Sequence, residues 1–254
     1  IFGDVCYGGL QRVSTETVNG VMQGCVFRFT QGLEGGTHRL AWGPDGALYV
    51  GMIGNPGNWG QEGKLWYGLQ RMKYNGNSVF EMLAVRAKSN GMEIEFTEPL
   101  RDGDGWNLSH YLVKQWRYQP TFNYGGPKLD ETTLDVKSAT VSADGKKVFL
   151  EIPGLKAGHV VHIRLRNLPL SALNHEIWTT EAWYTLNEIP AGQAGEVSAA
   201  PAPAAPLPDN TLSEREKAEG WKLLFDGQSL NGWHNYGKTT IGAAWIVQDN
   251  AIHL

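Results

Sequence analysis

From Gly91 to Pro99 apolar and polar residues alternate one for one, Met92, Ile94 and Phe96 against Glu93, Glu95 and Thr97. A period of two puts the three apolar side chains on one face of a strand, so the segment is satisfied only as part of a half-buried sheet. Comparable short runs follow at Tyr111 to Tyr118, Val136 to Ser142, Lys147 to Ile152, His159 to Arg166 and Ala182 to Leu186, bounded by Asp144-Gly145, Pro153-Gly154 and Ala157-Gly158. Glycine contributes 32 of 254 residues and charged residues only 19%, against usual shares of about 7% and about 25%. Many short strands joined by tight turns are expected, and residues 89–190 read as a small β-sandwich of about 100 residues.

Residues 1–88 are also strand-rich. Asn19-Gly20 suits a two-residue type I′ turn, pairing Val18 with Val21 and Cys25 with Ser14. Arg39 to Trp42, Gly43-Pro44-Asp45-Gly46 and Ala47 to Gly51 form a strand, turn and strand, and a further strand pair is expected in Leu65 to Tyr74 and Val79 to Val85. Gly3, Val5, Tyr7 and Gly8 are echoed by Gly46, Leu48, Val50 and Gly51, an offset within the roughly 40–45 residue period of a propeller blade. About two blades fit in this stretch, whereas closure needs about four or more.

Residues 191–210, AGQAGEVSAAPAPAAPLPDN, hold no aromatic residue and only Val197 as a β-branched one. Such a segment has little to bury and should run extended as an interdomain linker. After it, Ser213 and Glu216 have capping-box spacing and Gly220 is placed to stop a helix after about two turns. Leu223-Leu224-Phe225 and Trp245-Ile246-Val247 then read as strands, with turns at Asp226-Gly227 and Asp249-Asn250. Ile1 at the start and a strand running into Leu254 suggest a segment of a longer polypeptide.

With 22 basic and 26 acidic residues and no basic cluster, nothing resembles a nucleic-acid surface. No apolar run approaches the roughly 18 residues of a membrane-spanning helix.

Three stretches resemble known families. Arg39 to Gly51, RLAWGPDGALYVG, looks like a blade of the quinoprotein sugar dehydrogenase type of propeller. Residues 91–187, with GMEIEFTEPL and VSADGKKVFLEIPGLKAGHVVHIRL, resemble the bacterial Ig-like domains that follow catalytic modules. Gly220 to Leu254, with Leu224-Phe225-Asp226-Gly227, Leu230, Gly232-Trp233, Trp245 and Asp249, is similar to the opening of the 3-keto-disaccharide hydrolase domain. These resemblances imply an all-β chain: a partial β-propeller over 1–88, an Ig-like β-sandwich over 89–190, a linker over 191–210, and over 211–254 the truncated start of a concanavalin-like jelly-roll sandwich.

Candidate chemical residues are few. His159 and His162 have HxxH spacing, but residues three apart on a strand point to opposite faces, and Val161, Ile163 and Leu165 mark the inner one. Asp102-Gly103-Asp104-Gly105-Trp106-Asn107 opens like a calcium loop, yet Trp106, Asn107 and Val113 stand at positions 5, 6 and 12 where that loop needs a ligand, Gly and Glu. An ordinary polar loop is preferred. His38 lies only two residues before Leu40, too close for the base histidine of the dehydrogenase resemblance. Among ten tryptophans, Trp59, Trp106 and Trp233 sit beside Gly or Asn as sugar platforms often do, although core packing is the default, and Trp42, Trp178 and Trp245 read as core. The register separates Cys6 from Cys25, so both are expected as thiols.

No catalytic, cofactor-binding or metal residue is assigned. The resemblances imply carbohydrate as the substrate, hydrolysis of 3-keto-glycosides through the C-terminal segment and a periplasmic or extracellular setting. One alternative is a quinone-dependent sugar dehydrogenase with a glycan-binding C-terminal module, the case in which a quinone would be required; another is a non-catalytic surface binding protein.

Overall fold

The structure, a computed structural model, describes residues 1–6, 8–54, 65–123, 125–167, 169–200, 207–218 and 220–254. It is nearly all β, with several antiparallel sheets, none of them closed. Two compact units are present, Ile1–Pro201 and Ala202–Leu254.

The first unit contains β1 (Phe2–Asp4), β2 (Gly9–Val18), β3 (Val21–Thr30), β4 (Gly36–Trp42), β5 (Leu48–Ile53), β6 (Tyr67–Met72) and β7 (Met82–Lys88). It continues with β8 (Gly91–Phe96), β9 (Tyr111–Arg117), β10 (Leu129–Leu134), β11 (Ser138–Val141), β12 (Lys147–Glu151), β13 (His159–Leu165) and β14 (Glu181–Leu186). A seven-stranded sheet has the order β1-β2-β3-β14-β13-β9-β10, and a four-stranded sheet the order β11-β12-β8-β7. Their inner faces share one core, in which Met92, Ile94 and Phe96 of β8 are buried with Phe27, Val161, Ile163, Leu165 and Tyr184. Truncating a fully buried aliphatic here, Leu150 or Ile163, to Ala costs about 2–5 kcal/mol.

Local turn chemistry follows expectation. Asn19 and Gly20 both take positive φ, 50° and 82°, and Val18 pairs with Val21 and Ser14 with Cys25. Gly43 N donates to Ala47 O at 2.9 Å and Asp45 Oδ1 accepts from Ala47 N at 3.1 Å, closing the turn between β4 and β5.

Long-range pairing departs from it. Strand β3 pairs with β14, Phe27 opposite Ala182, so the first hairpin joins a strand more than 150 residues later in the chain. The two strands expected to pair over Leu65 to Tyr74 and Val79 to Val85 part company: β6 pairs with β5, whereas β7 pairs with β8. Burial explains the divergence, because Met82, Val85 and Ala87 enter the sandwich core while β6 turns Tyr67 and Leu69 to solvent. The 43-residue echo is not structural either. Gly3 lies in β1 opposite Leu10, but Gly46 occupies a turn at φ 72°, and Tyr7 lies outside the described residues. Strand β10 escaped the sequence pattern because LDETTL carries apolar residues only at its ends.

Two polar residues on the inner face of β2 clasp the edge of the sandwich. Arg12 reaches β7, donating to Met82 O at 2.5 Å and Leu83 O at 2.6 Å, with Glu81 at 3.6 Å and its guanidinium 4.5 Å above the Phe27 ring. Glu16 accepts from Ala87 N at 2.7 Å and from the Tyr184 hydroxyl. Strands β4, β5 and β6 form a third sheet, whose Leu48, Val50 and Met52 pack with Leu10 and Leu33.

The Ala/Pro-rich segment carries no strand or helix where described, with turns at residues 191–192 and 209–210, and its beginning is laced to the sandwich. Ser89 N donates to Gln193 O at 3.0 Å, Gly195 N to Asn90 Oδ1 at 2.7 Å and Ser198 N to Thr140 Oγ1 at 2.9 Å. Gly195 lies so close to Phe149 that a Cβ there would overlap the ring.

The second unit contains α1 (Glu214–Ala218), β15 (Ile246–Gln248) and β16 (Ala251–His253). The capping box forms: Ser213 N donates to Glu216 Oε2 at 2.8 Å and Glu216 N to Ser213 Oγ at 3.1 Å. Gly220, at φ 83°, ends the helix after five residues rather than two full turns. Strands β15 and β16 form a hairpin through Asp249 and Asn250, both at positive φ.

Candidate functional site

The resemblance-bearing segment is organised by side-chain to backbone bonds more than by strands. Asp226 Oδ1 accepts from Gln228 N at 2.8 Å and Ser229 N at 2.6 Å, and Oδ2 accepts from Ser229 Oγ at 2.8 Å. The bonds from the Ser229 and Gln228 backbone hold its carboxyl below the usual range, which suits an ionised turn former and not a proton donor. Leu223-Leu224-Phe225, expected as a strand, is irregular, and Leu224 is 82% exposed. Its carbonyl is taken instead by Trp233 Nε1 at 2.8 Å.

That bond fixes the Trp233 indole beside a hollow of about 230 Å³ lined by Trp233, His234, Tyr236, Ile241, Trp245 and Ile252. Asn235 sets the rim, donating its N–H to Thr240 O at 3.1 Å and accepting from Gly242 N at 2.6 Å. The two tryptophans of the sequence motif thus converge, Trp245 arriving at the start of the β15–β16 hairpin. A wall of aromatic faces beside His234 and amide groups can stack on a sugar's C–H face and bond its hydroxyls. The volume is below the roughly 300–1,000 Å³ of most small-molecule sites. Among the described residues of this unit only Gly227 is buried.

The remaining candidates do not converge. His162 stacks on Trp183, with ring centroids 5.1 Å apart, and meets Glu181 at 3.2 Å on the outer face of the seven-stranded sheet. Burial pushes its pKa down, outweighing the Glu181 carboxylate. His159 faces the other way and contacts Ala157 O at 3.0 Å. Asp104 pairs with Arg101 at 3.3 Å and accepts from Leu170 N, while Asn107 caps a short 3-10 turn at Leu108–His110. The loop is therefore locally satisfied. His38 is exposed at the bulge between Thr37 and Arg39. No group of three or more His, Cys, Asp or Glu residues suited to a metal ion occurs among the described residues.

The tryptophans need correction. Trp42 and Trp178, read as core, are 69% and 60% exposed; Trp42 ends β4, and Trp178 lies outside the strands. Trp245 and Trp106 are half-buried, Trp233 is exposed, and Trp59 lies outside the described residues. Cys6 sits exposed in a turn and Cys25 is buried in β3, each a thiol as expected. No helix among the described residues is long and apolar enough to cross a membrane.

Fold and hollow together define an all-β protein with an aromatic recess in its second unit. The chain is similar to a 3-keto-disaccharide hydrolase of Bacteroides thetaiotaomicron, 40% identical over 35 residues, which is 14% of this chain and 12% of that protein. No family profile and no solved structure matches the chain.

Proposed function

We propose that the protein is a carbohydrate-active hydrolase that cleaves 3-keto-glycosides through the segment 211–254, in a periplasmic or extracellular setting. The observation that carries this reading is the convergence of Trp233 and Trp245, the two tryptophans of the resembled motif, on one hollow. The short likeness to the Bacteroides hydrolase supports the same reading. In this reading the hollow seats the sugar, Asp226 shapes its own turn with Gln228 and Ser229, and the catalytic groups are unassigned. Incubating the full-length protein with a 3-keto-disaccharide and its unoxidised counterpart tests the proposal. Cleavage of the keto form, weakened at least tenfold in Trp233→Ala, is expected; turnover of neither would end it.

A second reading, the quinone-dependent sugar dehydrogenase, draws support from the third sheet. Its outer face leaves Ile53, Tyr67 and Leu69 exposed, as a blade does before a neighbour covers it. Dye reduction that depends on added quinone and sugar would favour this reading.

A further inference from the structure

We propose that the first unit carries its own binding groove for a neutral sugar, built around Trp178. The groove is a cavity of about 570 Å³ whose lining includes Trp178, Phe29, Tyr74, Asn77, Glu81 and Thr97. That volume falls within the roughly 300–1,000 Å³ of small-molecule sites. Its lining comes from three places: β3 with the segment before β14, the loop that carries the chain from β6 to β7, and Thr97 just after β8.

Trp178 is held in place by its polar atoms while its ring stays open to solvent. Trp178 donates its indole N–H to Phe29 O at 3.0 Å and its backbone N–H to Phe80 O at 2.9 Å, yet remains 60% exposed. Tyr74, also on the lining, is 75% exposed. The loop that carries Tyr74 is braced by the bond from Asn77 N to Asn75 Oδ1 at 3.0 Å. At its far end Thr97 Oγ1 donates to Val79 O at 2.6 Å and accepts from Glu81 N at 3.0 Å. A large aromatic side chain fixed by its polar atom and exposed on its apolar face loses little entropy on binding, which distinguishes a platform from a stray surface residue.

Charge selects the class of ligand. The one carboxylate of the groove, Glu81, faces Arg12 at 3.6 Å, and that guanidinium is already committed to Met82 O and Leu83 O. No free cation among the lining residues would attract a phosphate or carboxylate, and Glu81 is countered, so a cationic ligand gains little. What remains is a neutral molecule with an apolar face, and Asn77 and the Glu81 carboxylate on the lining favour one that also carries hydroxyls. A pyranose ring has that character: its C–H face stacks on Trp178 or Tyr74 while its hydroxyls reach Asn77 and the Glu81 carboxylate. The groove lies wholly in the first unit, so this inference does not rest on the hydrolase proposal.

Titrating the full chain with cellotetraose, xylotetraose and mannotetraose, following tryptophan emission and the indole N–H signals by NMR, tests it. At least one of these should bind saturably with Kd below about 1 mM. Affinity should fall at least tenfold in Trp178→Ala and in Tyr74→Ala and stay within twofold of the parent in Trp42→Ala, whose indole lines neither cavity. Asn77→Ala, on the exposed loop, should weaken binding severalfold and covers the case in which Trp178→Ala fails to fold. Binding of none of the three sugars overturns the proposal. So does binding lost with Trp233 and kept without Trp178, or a groove that takes an apolar probe such as 1-anilinonaphthalene-8-sulfonate but no sugar.

Discussion

Replacing Arg12 with Ala asks whether the first hairpin is integral to the sandwich. The guanidinium donates to two β7 carbonyls, at 2.5 and 2.6 Å, and faces Glu81 at 3.6 Å, with both side chains less than a fifth exposed. A hydrogen bond to a charged group contributes about 1.5–3 kcal/mol net, and breaking a buried ion pair costs about 3–5 kcal/mol. These effects share one side chain and do not add, so a loss of about 3 kcal/mol is expected. Urea denaturation of the full chain, followed by far-ultraviolet circular dichroism, reads it at an unchanged m-value. The pH dependence supplies a second arm. Burial pushes the Glu81 carboxyl above its ordinary 4.5 while Arg12 pulls it down, so removing Arg12 raises it further. A carboxyl raised by folding binds protons more tightly in the native state, and stability falls as pH rises through the interval above 4.5. The Arg12→Ala deficit should therefore be larger at pH 7 than at pH 4.5, and adding Glu81→Gln should recover about 1 kcal/mol at pH 7. A loss below about 1 kcal/mol, equal at both pH values, would refute the clasp.

Three further outcomes follow from the same structure. Gly195→Val should push the segment 193–198 off Phe149, costing about 1–3 kcal/mol and accelerating protease cleavage between Gly192 and Ala200; unchanged cleavage would count against the docking. Under native conditions a thiol reagent should modify Cys6 quickly and Cys25 only at the rate of unfolding, since burial both shields the Cys25 thiol and pushes its pKa up. Because His162 is held below its ordinary 6.5, the unfolded chain takes up its proton first. The parent should then lose stability on acidification below pH 6.5, and His162→Gln should lose less over the same interval.

What the sequence disclosed is local. Strand β8 and the Asn19-Gly20 hairpin were legible because alternation and positive-φ dipeptides act within a few residues. The capping box at Ser213 belongs with them. The partners of those elements were not legible: nothing near Phe27 announces Ala182 as its neighbour, and nothing near Tyr74 says that β6 and β7 enter different sheets. Those choices depend on which apolar faces meet across the core, a property of the whole chain. The tryptophans illustrate the same limit. Trp178 looked like core by residue type, yet its environment is decided by Phe29, 149 positions earlier, whose carbonyl holds the indole at the rim of a groove. In the second unit the motif residues were readable and their convergence was not, because it depends on the Leu224 carbonyl bonding an indole instead of a neighbouring strand.

Hydrogen exchange on the intact chain, resolved by peptide, is the most direct measurement of the two-unit organisation. Amides of β2 and β3 should share the slowest class with β7, β8, β13 and β14, while residues 207–254 exchange orders of magnitude faster, as expected where, among the described residues, only Gly227 is buried. Exchange of the β2–β3 hairpin at the rate of the second unit, with β7 and β8 still protected, would contradict the account.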